Sequence, residues 1–195
     1  FIVNSHVLIP RSETEQLCEH ILYLYDDLFE QKPVSMIDIG TGSGCIGITL
    51  DLEIKHASVT ITDISKDALE VAKINAQKLN SNVRIIQSNL FDHIEGTYDF
   101  IISNPPYIPK HQHVSEIVKK EPHIALYGGD DGTCFYELIL KHAQPFLNPK
   151  GLICFEHGYD QKQALYALAK NYFPKAEIIQ KKDLQGKDRF TFILT

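Results

Sequence analysis

From Val34 onward the chain alternates short apolar runs with stretches of helical spacing, and this alternation restricts it to an α/β fold. Val34–Ile39, Ser58–Thr62, Val83–Gln87, Tyr98–Ser103 and Leu152–Glu156 read as strands. Between them lie a predicted helix near 44–53, a second one capped by Ser65 and carrying Leu69, Ala72, Ala76 and Leu79, and others over Thr133–Phe146 and Gln161–Tyr172. Two late strands, about 176–181 and 189–194, are separated only by Asp183–Asp188. That gap is too short for a helical crossover, so they should pair antiparallel. The expectation is a seven-stranded, mostly parallel, doubly wound sheet with an antiparallel last hairpin. The β-branched strands fit a sheet covered on both faces.

Residues 1–33 read as a lead-in to one globular unit over 34–195. Phe1, Val3, Val7 and Ile9 suggest a short strand or hairpin turning at Asn4-Ser5. Ser12-x-x-Glu15 has the form of a capping box, before a helix with Leu17, Ile21, Leu24 and Leu28 on one face. A first residue other than Met reads as a fragment, a processed product or a trimmed chain. A length of 195 residues with 44% hydrophobic content suits one domain.

The charge balance, 19 − 25 = −6, lacks the basic footprint of a chain that grips long nucleic acid, so no direct nucleic-acid contact is expected. No apolar run approaches the roughly 20 residues of a membrane span. Cys18, Cys45, Cys134 and Cys154 form no C-x-x-C pair and are expected to pack in the core, consistent with the cytoplasm. His111-x-His113 has no third ligand nearby; it reads as an exposed loop, and no metal is expected.

Asp38-Ile39-Gly40-Thr41-Gly42-Ser43-Gly44 sits where the first core strand meets its helix, the end of an open α/β sheet that binds ligands. Asp63 ends the next strand, where a carboxylate can accept from both hydroxyls of a ribose. Two cofactor readings compete here. Gly42-x-Gly44-x-x-Gly47 also satisfies the dinucleotide fingerprint. Asp38 favours the other reading, because a carboxylate would repel a pyrophosphate but support the cationic end of S-adenosylmethionine. An otherwise parallel sheet ending in a hairpin is the methyltransferase variant of the Rossmann-like architecture.

Asn104-Pro105-Pro106-Tyr107 follows the fourth core strand. Two prolines continue neither a ladder nor a helix, and they stiffen the segment. An amide or aromatic amine is a poor nucleophile because its lone pair is delocalised. It is helped by two acceptors aimed at its two N–H groups, here the Asn104 side-chain oxygen and the Pro105 carbonyl. Tyr107 offers a ring for stacking. Asn104, Pro105 and Tyr107 are therefore the candidate catalytic residues, and Asn104 through Tyr107 the candidate substrate site. A nucleic-acid adenine amino group would satisfy the same segment.

The ordered motifs resemble the peptide chain release factor glutamine methyltransferases. They are Val7-Leu8-Ile9-Pro10-Arg11-Ser12-Glu13-Thr14-Glu15, Asp38–Gly44, Ser103–Ile108, Glu121-Pro122, Ala125-Leu126, Gly129-x-x-Gly132, Glu156-His157-Gly158 and Asp188-Arg189. The resemblance implies methylation of the glutamine amide in a Gly-Gly-Gln motif. S-adenosylmethionine would be the donor and S-adenosylhomocysteine the product. It implies a release factor as partner, a monomer, and cofactor contacts from Gly40, Thr41, Gly42, Ser43, Gly44, Asp63, Asn89, Leu90 and Asn104. Leu90 stands where the family often has an aromatic residue. The family also carries a helical N-terminal domain that is absent from this sequence. Arg11, Glu13 and Glu121 either pair with one another or close over the cofactor, the ion pair being the preferred reading, and Phe135 and Tyr127 are expected to form core or pocket wall.

Overall fold

The computed structural model describes residues 1–112 and 121–195. Its seven strands are β1 (Val34–Ile39), β2 (Ala57–Asp63), β3 (Arg84–Gln87), β4 (Tyr98–Ser103), β5 (Leu147–Glu156), β6 (Glu177–Lys182) and β7 (Asp188–Leu194). They form one sheet in the order β3-β2-β1-β4-β5-β7-β6. All neighbours pair parallel except β5–β7 and β6–β7, which are antiparallel, so the expected closing hairpin is present. The helices are α1 (Ser12–Phe29), α2 (Cys45–Glu53), α3 (Lys66–Leu79), α4 (Cys134–Ala143) and α5 (Lys162–Tyr172).

Alternation along the strands divides the core in two. Met36, Phe100, Ile102, Leu152, Cys154, Phe190 and Phe192 share one cluster with Leu17, Ile21 and Leu24 of α1 and Ile46 and Leu50 of α2. Ile37, Ile39, Ile101, Ile153, Phe155 and Ile193 share the other with Tyr136 and Ile139 of α4 and Leu165 of α5. Each such side chain contributes about 1.5–3 kcal/mol by leaving water.

Several local expectations are corrected. Residues 1–9 form no strand: Ile2 exchanges backbone bonds with the Asn75 side chain (2.7 and 2.9 Å), and Val7 packs on Ala68 and Val71. The segment is held by α3 rather than by a partner strand. The capping box does not form, because Arg11 is the N-cap of α1 and the Ser12 hydroxyl donates to Glu13. Leu28 is exposed near the C-terminal end of α1. β5 starts at Leu147, five residues early, through an irregularity opposite Tyr98–Phe100. Cys134, expected inside, is exposed; Cys18 and Cys154 are buried, and all four cysteines are free. Ser65 does cap α3, accepting from the Ala68 amide at 3.2 Å. His113 lies outside the described residues.

Candidate active site

The strand order reverses direction at the β1–β4 pair, where Asp38 lies opposite Ile102. Sheets of this type bind ligands outside such a switch point. The glycine turn after β1 and the Asn-Pro-Pro-Tyr segment after β4 therefore emerge side by side. The Ser103 hydroxyl fastens them, donating to the Ile39 carbonyl at 2.7 Å. Above them opens a cleft of about 1110 Å³ that is continuous with solvent.

The glycine turn is closed by its own bonds. The Gly40 and Thr41 amides donate to the Thr62 carbonyl (2.9 and 2.8 Å), and the Gly44 amide to the Thr41 carbonyl (2.9 Å). The Gly42 amide donates to Asp63 Oδ2 at 2.9 Å. These four amides are spent inside the protein, so they are not aimed at a pyrophosphate. Gly42 has φ +56°, and a Cβ there would meet nothing within 4 Å. Its side faces open space that a ligand can fill. Gly47, the third glycine of the dinucleotide pattern, is explained by packing, since a Cβ would lie 2.2 Å from Ile61 Cγ2.

Two carboxylates flank the turn. Asp63 accepts from the Gly42 amide through one oxygen and the Ser65 amide through the other, and it lines the cleft. Each oxygen keeps a lone pair for a ligand hydroxyl. Burial raises its pKa. Asp38 lies beneath the turn and outside the cleft lining. Its Oδ2 accepts from the Thr41 hydroxyl (2.5 Å) and the Gly47 amide (3.1 Å). Burial pushes its pKa up to about 6. Asp38 thus holds the turn in shape.

Asn104, Pro105 and Pro106 line the cleft. Asn104 Nδ2 donates to the Thr14 hydroxyl at 3.4 Å, while Oδ1 is shielded from solvent and has no partner among the described residues. Tyr107 is half-buried, and its ring packs against the second core cluster. Its hydroxyl is pushed up to about 12, mainly by burial. The Tyr107 carbonyl accepts from Gln161 Nε2 (3.0 Å), and Ile108 pairs with Tyr127. Gly132 lets the chain pass, since a Cβ there would sit 2.1 Å from the Tyr107 carbonyl oxygen.

Ser88, Asn89 and Leu90 line the cleft after β3. Asn89 Nδ2 donates to Asp92 Oδ2 at 3.2 Å, which leaves its Oδ1 to accept. Phe135 is pocket wall, together with Ile124, Ala125 and Ile139. Arg11 pairs with Glu121 (2.5 Å), tying the α1 start to the segment that carries Ile124. Glu13 accepts only from Ser12 among the described residues. The Glu156-His157-Gly158 and Asp188-Arg189 motifs form a structural corner, in which Arg189 donates to the His157 carbonyl and to Asp183.

Sequence reasoning missed two contributors. Val7, Leu8 and Pro10 wall the cleft although they belong to no strand. Thr14 is buried, lines the cleft and donates to Glu156 Oε2 at 2.8 Å. The available signal was a polar residue on the apolar stripe of α1, three before Leu17 and seven before Ile21.

Residues 22–183 match the family model described as the methyltransferase small domain. The release factor glutamine methyltransferase of Bacillus subtilis is 43% identical over 97% of this chain, which spans 68% of that protein. A bifunctional methyltransferase of Rickettsia conorii is 39% identical, also over 97% of the chain, with 41% of its own length covered. A methyltransferase structure from Pyrococcus furiosus superposes with a TM-score of 0.66 at 24% identity, covering 90% of this chain and 81% of that one. The likeness to that structure supports the fold alone. Together with the identity over most of the chain, the family match places this protein in the release factor glutamine methyltransferase family.

Proposed function

We propose that this chain transfers the methyl group of S-adenosylmethionine to the side-chain amide nitrogen of the glutamine in the Gly-Gly-Gln segment of a peptide chain release factor. The observation that carries the reading is Asn104 Oδ1, a shielded acceptor without a partner among the described residues, on a residue of the cleft wall. Leaving such an acceptor unpaired costs about 1–3 kcal/mol, which a substrate N–H would recover.

The cleft residues fit the cofactor. Four of the turn amides are spent internally, and the flanking carboxylates disfavour an anion. Asp63 accepts from the ribose hydroxyls, and Asn89 Oδ1 from the adenine amino group beside Leu90. Gly40, Thr41, Gly42, Ser43 and Gly44 border the amino-acid end. When bound, S-adenosylmethionine supplies an electrophilic methyl on a sulfonium and leaves as S-adenosylhomocysteine. Asn104 Oδ1 and the Pro105 carbonyl accept hydrogen bonds from the two amide N–H groups and turn the nitrogen lone pair toward that methyl. Catalysis is then orientation and local electrostatics. The methylated nitrogen is then strongly acidic and releases one proton to solvent water, so no strong base is needed. Pro106 walls the acceptor site, and Tyr107 stiffens it from the core side. We place the reaction in the cytoplasm, with the protein acting as a monomer.

The names of the relatives and the net charge of −6 favour a protein amide over a nucleic-acid adenine. Mass spectrometry of a release factor incubated with the protein and labelled donor should find one methyl on the Gly-Gly-Gln glutamine. Asn104→Ala should lower the labelling rate by about 100-fold or more. An unlabelled release factor, or label transferred to duplex DNA or RNA instead, refutes the reading.

A further inference from the structure

We infer that Thr14 and Glu156 are positioning residues that set the direction of the Asn104 amide and so keep Oδ1, rather than the NH2 group, available to the substrate. This deepens the proposed function and rests on it. A primary amide can sit in two orientations that differ by a half-turn, and only one presents an acceptor. Nothing in Asn104 itself selects between them.

A directed chain of hydrogen bonds selects. Glu156 is buried at the end of β5, and an ionised carboxylate only accepts. The Thr14 hydroxyl has one proton and donates it to Glu156 Oε2 at 2.8 Å. Its oxygen can then only accept, and Asn104 Nδ2 lies 3.4 Å away as the donor. Both Thr14 and Asn104 favour the ionised form of Glu156. If the amide flipped, Oδ1 would face the Thr14 lone pairs with no proton between them. The flip would therefore lose a bond and set two acceptors against each other. Removing the charge of Glu156 lets that side chain donate as well as accept, and removing the hydroxyl of Thr14 takes a partner from Nδ2; either change weakens the selection. With Glu156 neutral, the hydroxyl proton of Thr14 is free to turn to Oδ1 and occupy the acceptor needed by the substrate.

Thr14 also carries information across the fold, since it comes from α1, Glu156 from β5 and Asn104 from the end of β4. Neither Thr14 nor Glu156 needs to touch the reacting atoms. Their substitution should alter turnover while leaving cofactor binding in place.

The test compares Thr14→Val, Thr14→Ser and Glu156→Gln in the release-factor methylation assay. Thr14→Val should lower kcat about tenfold or more, with KM for S-adenosylmethionine within about twofold. Thr14→Ser keeps the hydroxyl and should recover most of the loss. Glu156→Gln should show the same kcat-specific fall, and it decides the matter if Thr14→Val does not fold. Wild-type kcat in Thr14→Val or Glu156→Gln, or an equal loss in Thr14→Ser, overturns the inference. A second readout does not depend on activity. In side-chain amide NMR of the wild type, the Asn104 NH2 protons should exchange slowly, and in Thr14→Val faster. If the wild type fails to methylate release factor, the functional reading falls. The exchange rates then still judge the chain of bonds, and identical rates in the two proteins would refute it.

Discussion

At the scale of single residues, the site works by leaving some polar atoms unsatisfied while satisfying their neighbours. Asp63 shows the second half of that arrangement. Two backbone amides hold its carboxylate oxygens, so its remaining lone pairs are aimed before any ligand arrives. Charge-assisted hydrogen bonds contribute about 1.5–3 kcal/mol each, and Asp63→Ala should weaken S-adenosylhomocysteine binding by about 10- to 100-fold. Calorimetry checks this, and unchanged affinity would remove Asp63 from the ribose. Asp63 and Asn104 were legible from their places at strand ends. Thr14 was not, because its role depends on Glu156, which is 142 residues away in sequence.

At the scale of elements, the Asn-Pro-Pro-Tyr segment owes its rigidity to more than its prolines. The segment from Gly128 to Gly132 runs directly against it. A Cβ at Gly128 would come within 2.3 Å of the Pro106 carbonyl oxygen, and one at Gly132 within 2.1 Å of the Tyr107 carbonyl oxygen. Gly132 also has φ +79°, which a side chain rarely adopts. Gly132→Ala should push the Asn-Pro-Pro-Tyr segment out of place and destabilise the fold by about 1–3 kcal/mol. Turnover should fall by about tenfold or more, because reacting atoms are misplaced while the cofactor half of the cleft is untouched. Urea titration together with kinetics tests the claim, and wild-type values in both would contradict it. Strand and helix positions were largely readable, since period-2 and period-3.6 patterns are local. The hairpin read into residues 1–9 was not real. Short apolar runs do not reveal whether a partner strand or, as here, the Asn75 side chain of α3 takes their backbone groups.

At the scale of the whole molecule, two buried carboxyls set stability against function. Burial pushes Asp38 up to about 6 and Glu156 up to about 7, above ordinary values of 3.8 and 4.5. For an acid whose folded pKa is raised, the neutral form suits the fold better. The associated stability is complete below the ordinary carboxylate range and is lost as pH rises through 6–7. Unfolding free energy should thus fall by about 4 kcal/mol between pH 5 and pH 7.5. Glu156→Gln should flatten that fall, and urea midpoints at the two pH values measure it. An undiminished slope in the variant would assign the effect elsewhere. The groups facing Glu156 explain why it can still ionise. Thr14 donates to it and Arg189 of β7 attracts it, while Glu13 of α1 opposes, and the Asn104 amide helps. The ionised form is the one that orients Asn104, so the pH that favours turnover is the one that weakens the fold.

The sequence by itself determined the α/β class, the closing hairpin, the glycine turn, Asp63 and the Asn-Pro-Pro-Tyr segment. All of these follow from local periodicity, proline and glycine geometry, and the rule that α/β sheets bind ligands at strand ends. Only the tertiary structure decided that Asp38 supports the turn from below, that Tyr107 packs against the second core cluster, and that the N-terminal segment walls the cleft. It alone brought Thr14, Asn104 and Glu156 together. The direction of a hydrogen bond is a property of the pair, and no pattern in one stretch of chain records which distant residue will supply the other half.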